Sequence, residues 1–418
     1  MARGTKLPLA ALAAALFALL AFAPLASATP DPVASGKTTV TLNKGWTKYL
    51  KTFGIKIQKV GNAKVNAKKA TFKVSGGSMD PTNGLGTLNL SGGLKFKAGK
   101  KSATVKGLVL DTGKSLLTGK VSGKKVKLAK LKGLSYSRNG FGVNVTLKTL
   151  KLEKAGAKQL NKKTGYAKGK PKPFLAGKKI GKSTSESQPA TVAVIPSGNL
   201  VFDANPELLT KLSNVKANVE LISPTTQSGT RFTSPITGGT IAPLGTAGTV
   251  MSSGGLKLVQ NLPTSANTSI DTTITLGAMY LDLSAKTVTV EVVAQSNAES
   301  EGKKPLDLGN LGRSSIADLT VTGVSTDAAN RTVSVNSSAV LQPISAEVLQ
   351  GFVSVFKPYA EAVAYGEAFK KAKEEMKTDE EADAEGKAAA KATGEEVAKN
   401  TIKSGDALGT FSFTAQTQ

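Results

Sequence analysis

A mainly β fold is expected, made of two tandem antiparallel, β-rich, sandwich-like domains with a helical insertion near the C-terminus. Three observations lead there. An ungapped repeat relates residues 74–95, VSGGSMDPTNGLGTLNLSGGLK, to residues 236–257, ITGGTIAPLGTAGTVMSSGGLK. Short runs with period-two patterning or β-branched enrichment recur along both halves, with frequent turn signals between them. One stretch, residues 358–401, is rich in Ala, Glu and Lys, a helix composition, while its flanks are not.

The repeat sets the domain plan. Gly76, Gly77, Pro81, Gly86, Thr87, Gly92, Gly93, Leu94 and Lys95 each lie 162 residues before Gly238, Gly239, Pro243, Gly248, Thr249, Gly254, Gly255, Leu256 and Lys257. Leu152, Ala157 and Leu160 recur at Leu341, Ala346 and Leu349, an offset of 189. Gly177, Ile180 and Gly181 recur at Gly405, Leu408 and Gly409, an offset of 228. The second copy therefore gained 27 residues and then 39 more, and the helical stretch accounts for the latter. Domain one is placed at 36–185 and domain two at 189–418, each a reasonable domain size.

Taken in order, the chain starts with an address. Arg3 and Lys6 precede an apolar run over 8–23, and Ala26-Ser27-Ala28 offers a small-x-small cleavage site. Residues 1–28 read as a secretory signal peptide. The run is short for a retained anchor and is followed by Pro24. No later segment is apolar enough to span a bilayer. Leu262-Pro263-Thr264-Ser265-Ala266 resembles a sorting signal, but it lacks the Gly and sits mid-chain, so it reads as a loop. A secreted protein is expected, free outside the membrane or held non-covalently in the wall.

Strands are expected in the first copy at 38–42, 70–74, 87–90, 103–111, 126–131 and 142–152. Asn139-Gly140 between two of them is a hairpin signal. The second copy repeats the style at 192–195, 215–222, 268–276, 287–293, 319–324 and 331–335, and 409–414 returns to strand character. The Gly-Gly pairs mark turns or bulges needing positive φ. A phosphate cradle is the weaker alternative, because no strand-to-helix pattern surrounds them. Helical pieces are expected at 152–160, 345–352, 359–377 and 379–399. Ala364, Ala368, Phe369, Ala372 and Met376 make a modest apolar stripe, so a projecting hairpin or mobile arm is expected there.

Composition removes several chemistries. The chain has neither Cys nor His, which excludes disulfides, thiolate zinc sites, Ser-His-Asp triads and Cys-His dyads. The acids of domain one are Asp80, Asp111, Glu153 and Glu186, and Asp80 becomes Ala242 in the second copy. Nothing signals the facing pair that a glycosidase needs, and no spacing marks a Ser–Lys dyad. The protein is not expected to be an enzyme.

Charge is divided unevenly. Residues 36–188 hold 35 Lys plus Arg against 4 Asp plus Glu, net +31. Residues 189–418 hold 18 against 24, net −6. Arg138 is the one arginine of the basic half. Lysines alternate with apolar residues, as in Lys125-Val126-Lys127-Leu128, which on a strand puts them on one face. The plain reading is a solvated sheet face. The sharper one is attraction to an anionic surface outside the cell, such as wall polymers, lipid headgroups or an anionic ligand. Nucleic acid is not expected, since the chain has few aromatics for stacking.

The Gly-rich block, the L-x4-A-x2-L segment and the closing A-G-x-x-I-G or S-G-x-x-L-G element resemble the HtaA domain, an exported actinobacterial module, often in tandem, that binds haem. The resemblance implies an F-x-x-Y-like aromatic segment near the N-terminus, and Trp46-Thr47-Lys48-Tyr49 occupies that place. It carries the axial-ligand role onto Tyr49, a phenolate being able to bind ferric haem. Trp46 would lie in the same segment, and Lys48 or Lys51 would favour the charged phenol or meet propionates. Two departures stand beside this. The family's histidine near the start of the Gly-rich block is missing, and the second copy puts Leu208 or Leu209 where Tyr49 falls. Without a ligand, Trp46 and Tyr49 read as a staple seating the first segment on the sheet. The expected function is a secreted tandem binding protein for haem or another anionic ligand. The alternative is an adhesive envelope protein that binds anionic wall polymers through the lysine-rich domain.

Overall fold

The computed structural model describes residues 30–418 except 168–170, 266–267 and 299–306. The expected signal peptide, residues 1–28, lies outside the described residues. The first sheet contains β1 (Asp31–Leu42), β2 (Ile55–Val60), β3 (Lys64–Val65), β4 (Lys69–Met79), β5 (Gly86–Ala98), β6 (Lys101–Asp111), β7 (Leu116–Val121), β8 (Lys124–Asn139), β9 (Gly142–Leu152) and β10 (Lys179–Pro189). Helix α1 (Lys44–Thr52) links β1 to β2, and α2 (Lys154–Thr164) follows β9. All pairings are antiparallel, and β4 pairs with both β1 and β5. The strands β4-β5-β6-β7-β8-β9-β10-β1 therefore close into a ring. The two facing layers expected of a sandwich are opposite walls of one closed barrel. Alternation fills the interior: Ala103, Val105, Leu108 and Leu110 of β6 are buried, as are Val143, Val145 and Leu147 of β9. An eight-stranded ring is just wide enough for side chains to fill.

The second sheet repeats the plan with β11 (Val192–Ala193), β12 (Asn199–Ala204), β13 (Ala217–Ile222), β14 (Thr226–Ser228), β15 (Arg231–Ile241), β16 (Gly248–Ser252), β17 (Gly255–Ser265), β18 (Thr268–Asp282), β19 (Thr287–Ser296), β20 (Gly309–Asp327), β21 (Thr332–Leu341) and β22 (Ala407–Gln416). Here β16 pairs with β15 and β18, and that contact closes the ring. The proposed loop at 262–266 is strand up to Ser265, because Leu262 and Pro263 pair with Ile270 and Ser269.

The sequence repeat coincides with the seam. Gly76 and Gly77 face Asn89 and Leu88 across β4–β5, just past a bulge after Val74. Gly238 and Gly239 face Met251 and Val250 across β15–β16. Their φ values agree closely: 144° and 127° in the first barrel, 146° and 128° in the second. A Cβ on Gly77 would lie 2.0 Å from the carbonyl oxygen of Thr87, and on Gly239 equally close to that of Thr249. Only glycine lets the backbones meet there.

The downstream repeat is also structural. Gly177 N–H donates to the Leu152 carbonyl, and Gly405 N–H to that of Leu341. Asn43 N–H donates to Ile180, and Asn205 N–H to Leu408. Asn43 caps α1 and Asn205 caps α3 (Pro206–Asn214) by accepting backbone N–H groups. At offset 162 the residue opposite Tyr49 is Lys211, while Leu208 stands opposite Trp46. The sequence-based alignment of Leu208 or Leu209 with Tyr49 is corrected accordingly. The two caps, Asn43 and Asn205, lie 162 residues apart and fix the register.

The helical insertion is an antiparallel pair, α4 (Pro343–Glu374) and α5 (Asp379–Ala398). The segments expected at 345–352 and 359–377 are one helix that runs through Pro358. Its first turns cover the barrel end through Ala346, Leu349, Phe352 and Val353. Thr378 and Glu381 form a capping box that starts α5. Met376, expected on the apolar stripe, is 94% exposed in the turn, whereas Ala372 is fully buried. No helix among the described residues is long and apolar enough to cross a membrane.

The barrels touch. Gly140 and Phe141 form the tip of the β8–β9 hairpin, and Phe141 belongs to the second barrel's core. Asp31 of β1 is buried, accepts from the Ala193 backbone of β11 and faces the charge of Arg138. Burial pushes its carboxyl up to about 6, against the pull of Arg138. Burial and the nearby Arg331 lower the pKa of Arg138.

Candidate functional site

Helix α1 positions all four residues singled out in the sequence. Trp46 and Leu50, four apart, form its buried face. Trp46 packs edge-on against Phe96, whose ring meets Phe174, at centroid distances of 6.1 and 5.3 Å. Its indole N–H is buried without a partner, and Trp46 lines an interior cavity of about 70 Å3 whose other lining residues are apolar apart from Thr38 and Ser183.

Tyr49 lies on the adjoining face and is half-buried. Its hydroxyl donates to the carbonyl of Lys172 at 3.1 Å. The ring meets Phe53 edge-on at 5.2 Å, and Phe53 meets Tyr166 at 5.6 Å. The Tyr166 hydroxyl donates to the carbonyl of Phe53. Asn161 completes the closure: its side chain donates to the Phe174 carbonyl and accepts from the Phe174 N–H. Thus the segment after α2 folds back over α1 and is latched by two tyrosines and one asparagine.

The structure separates the four residues. Trp46 points inward, Tyr49 toward the returning segment, and Lys48 is exposed. Lys51 lines a cleft of about 470 Å3 on another side of the helix, with Thr47, Leu50, Ile55, Lys56 and Ile57 among its walls. Tyr49 does not line that cleft. Phe53, Tyr166, Phe174 and Asn161 were missed from sequence. The F-x-x-Y-like spacing draws attention to Tyr49, but no motif marks the segment that carries Tyr166, Lys172 and Phe174. Nothing local announces that such a segment packs on a helix 120 residues earlier.

A second arrangement exists only in the folded chain. Lys130, Lys151 and Lys179 stand directly opposite one another across β8, β9 and β10. Lys106, Lys120 and Lys125 do the same across β6, β7 and β8. Lys37 faces Lys73, and Lys56 faces Lys97. All are exposed. Like charges directly opposite in a sheet destabilise it. The ion pairs found among the described residues of this barrel are Lys37–Glu186 at 3.3 Å and Lys114–Asp111 at 3.9 Å, so the rows are largely uncompensated. In the second barrel the row matching Lys130–Lys151–Lys179 is Asp318–Val340–Ala407, in the same register.

The acids serve local structure. Asp80 accepts from the Thr82 N–H, the Thr82 hydroxyl and the Asn83 amide, and Asp111 accepts from the Lys114 N–H. Among the described residues no three acidic side chains converge to hold a metal.

Neither a protein-family model nor a curated protein matches this sequence. Solved structures similar to it come from Corynebacterium glutamicum. The N-terminal domain of HtaA matches at 13% identity and TM-score 0.31, over 54% of this chain and 99% of that one. The C-terminal domain of HtaA matches at 11% and 0.30, over 38% and 98%. The heme binding protein HtaB matches at 12% and 0.30, over 55% and 95%. Similarity at this level says nothing about what the present chain binds.

Proposed function

We propose that this is an exported, non-catalytic binding protein whose first barrel holds an anionic polymer of the cell envelope on its lysine rows. One observation carries the reading. The Lys130–Lys151–Lys179 row places like charges at adjacent ladder positions, and the same ladder in the second barrel carries Asp318, Val340 and Ala407. The fold therefore does not require cations there. A polyanion lying across the strands would turn the repulsion into attraction, and lysine, a hydrated point charge, suits a flexible ligand that needs no bidentate geometry. Export is supported by the basic start, apolar run and Ala26-Ser27-Ala28.

The test is binding of long-chain polyphosphate by the full chain, followed by calorimetry at low and high salt. Wild type binds at low salt and loses affinity steeply as salt rises. Replacing Lys130, Lys151 and Lys179 by Gln weakens binding, and orthophosphate does not compete at equal phosphate concentration. Salt-independent binding, or a triple variant that binds as wild type does, overturns the reading.

Haem at Tyr49 is a second reading, favoured by a half-buried phenol beside Phe53 and Tyr166 with Lys48 and Lys51 on the same helix. The residues fit haem in kind but not in arrangement. The phenol is committed to the Lys172 carbonyl, and the interior cavity beside Trp46 is about 70 Å3, whereas ligand pockets run to several hundred. Hemin titration decides it. The reading requires a Soret band that Tyr49→Phe abolishes, and no band at stoichiometric hemin ends it.

A further inference from the structure

We propose that the cleft between α1, β2 and β3 of the first barrel is a binding site for a small amphipathic carboxylate. The cleft measures about 470 Å3, within the size range of small-molecule pockets. Its floor is apolar: Leu42, Leu50 and Ile55 are buried there, and Ile57 and Val65 are half-buried. Lys51 and Lys56 stand at the rim, both exposed and both without an ion-pair partner among the described residues. An apolar base with two ammonium groups at its mouth matches a ligand with a hydrocarbon body and one anionic end. The body takes the apolar surface out of water, and the carboxylate receives charge-assisted hydrogen bonds.

The second copy shows what the same frame looks like without such a site. At the established offset, Ser213 and Asn218 replace Lys51 and Lys56, and Leu209 replaces Thr47. Leu209 packs against the second barrel's core. In the first copy the shorter Thr47, whose hydroxyl donates to the Lys44 carbonyl, leaves that volume open. Both the space and the cations thus belong to one copy. The site is separate from Tyr49, which does not line it, and from the Lys130–Lys151–Lys179 row across β8–β10.

The probe is decanoate, titrated calorimetrically into the full chain below its micelle concentration, with decylamine as the same body bearing the opposite charge. Saturable one-site binding of decanoate and none of decylamine are expected. Thr47→Leu fills the cleft while leaving every charge in place, and weakens decanoate binding by about tenfold or more. Lys51→Gln with Lys56→Gln, both surface changes that leave the core intact, has a similar effect. Either variant binding decanoate as wild type does, or decylamine binding equally well, overturns the proposal. Polyphosphate binding unchanged in Thr47→Leu, which keeps every lysine, makes this outcome distinct from that of the lysine rows.

Discussion

Replacing Lys151 by Gln removes the middle charge of a row of three. Lys151 faces Lys130 on one side and Lys179 on the other. Directly opposed residues have Cβ atoms about 5 Å apart, and an unfavourable like-charge pair there costs a few tenths of a kcal/mol to about 1 kcal/mol. Two unit charges about 6 Å apart in water repel by about 0.7 kcal/mol, and splaying of long side chains reduces that figure. Relief of two such contacts should raise stability by about 0.5–1 kcal/mol at low ionic strength. The gain should vanish near 1 M salt, where the Debye length falls to about 3 Å. Urea denaturation of wild type and Lys151→Gln in low and high salt measures it, read as a shift in midpoint at constant slope. Saturating polyphosphate should reverse the order and make wild type the more stable protein, since only the intact row has three cations to offer. A variant less stable than wild type at low salt, or a difference indifferent to salt, would refute the view that these lysines oppose one another in the free protein.

The inter-barrel contact gives a pH prediction. The Asp31 carboxyl is raised from 3.8 to about 6 in the folded chain, so the fold favours its protonated form. This contribution is fully present below about pH 4 and is lost as pH rises through about 6. Two pH units correspond to about 3 kcal/mol at most. Asp31→Asn should therefore match wild type at pH 4 and exceed it by up to about that amount at pH 7, and equal stabilities at both pH values contradict the assignment. At the seam, Gly77→Ala should cost at least about 2–3 kcal/mol by thermal denaturation, because its Cβ meets a backbone oxygen at 2.0 Å at a φ of 127°. Gly239→Ala should do the same to the second barrel, and a loss under about 1 kcal/mol in either would mean that the seam relaxes freely.

Much of the architecture was legible in the primary structure because backbone demands are local. A glycine at φ near 127° with the neighbouring strand's carbonyl where a Cβ would stand admits no other residue, so Gly77 and Gly239 stayed in phase and disclosed two copies. The β8–β9 hairpin signalled by Asn139-Gly140, whose tip falls at Gly140-Phe141, and the alternation along β6 and β9 follow from equally local rules. So does the helix composition of 358–401, although its boundary with 345–352 was lost because α4 continues through Pro358. Closure of each sheet was not legible. It depends on β4 meeting β5 after β1 has met β10, and no short window of sequence records that.

The chain by itself determined duplication, strand content, the concentration of lysine in one half and the absence of thiol and imidazole chemistry, since these are matters of composition and of residues close in sequence. Tertiary structure alone decided which lysines face one another, which side of α1 holds Tyr49 and which holds Lys51, and that Tyr166 and Lys172 return to that helix. Cross-strand register and long-range packing bring together groups tens to more than a hundred residues apart. The energies that fix such contacts arise only when the barrel closes around its apolar interior.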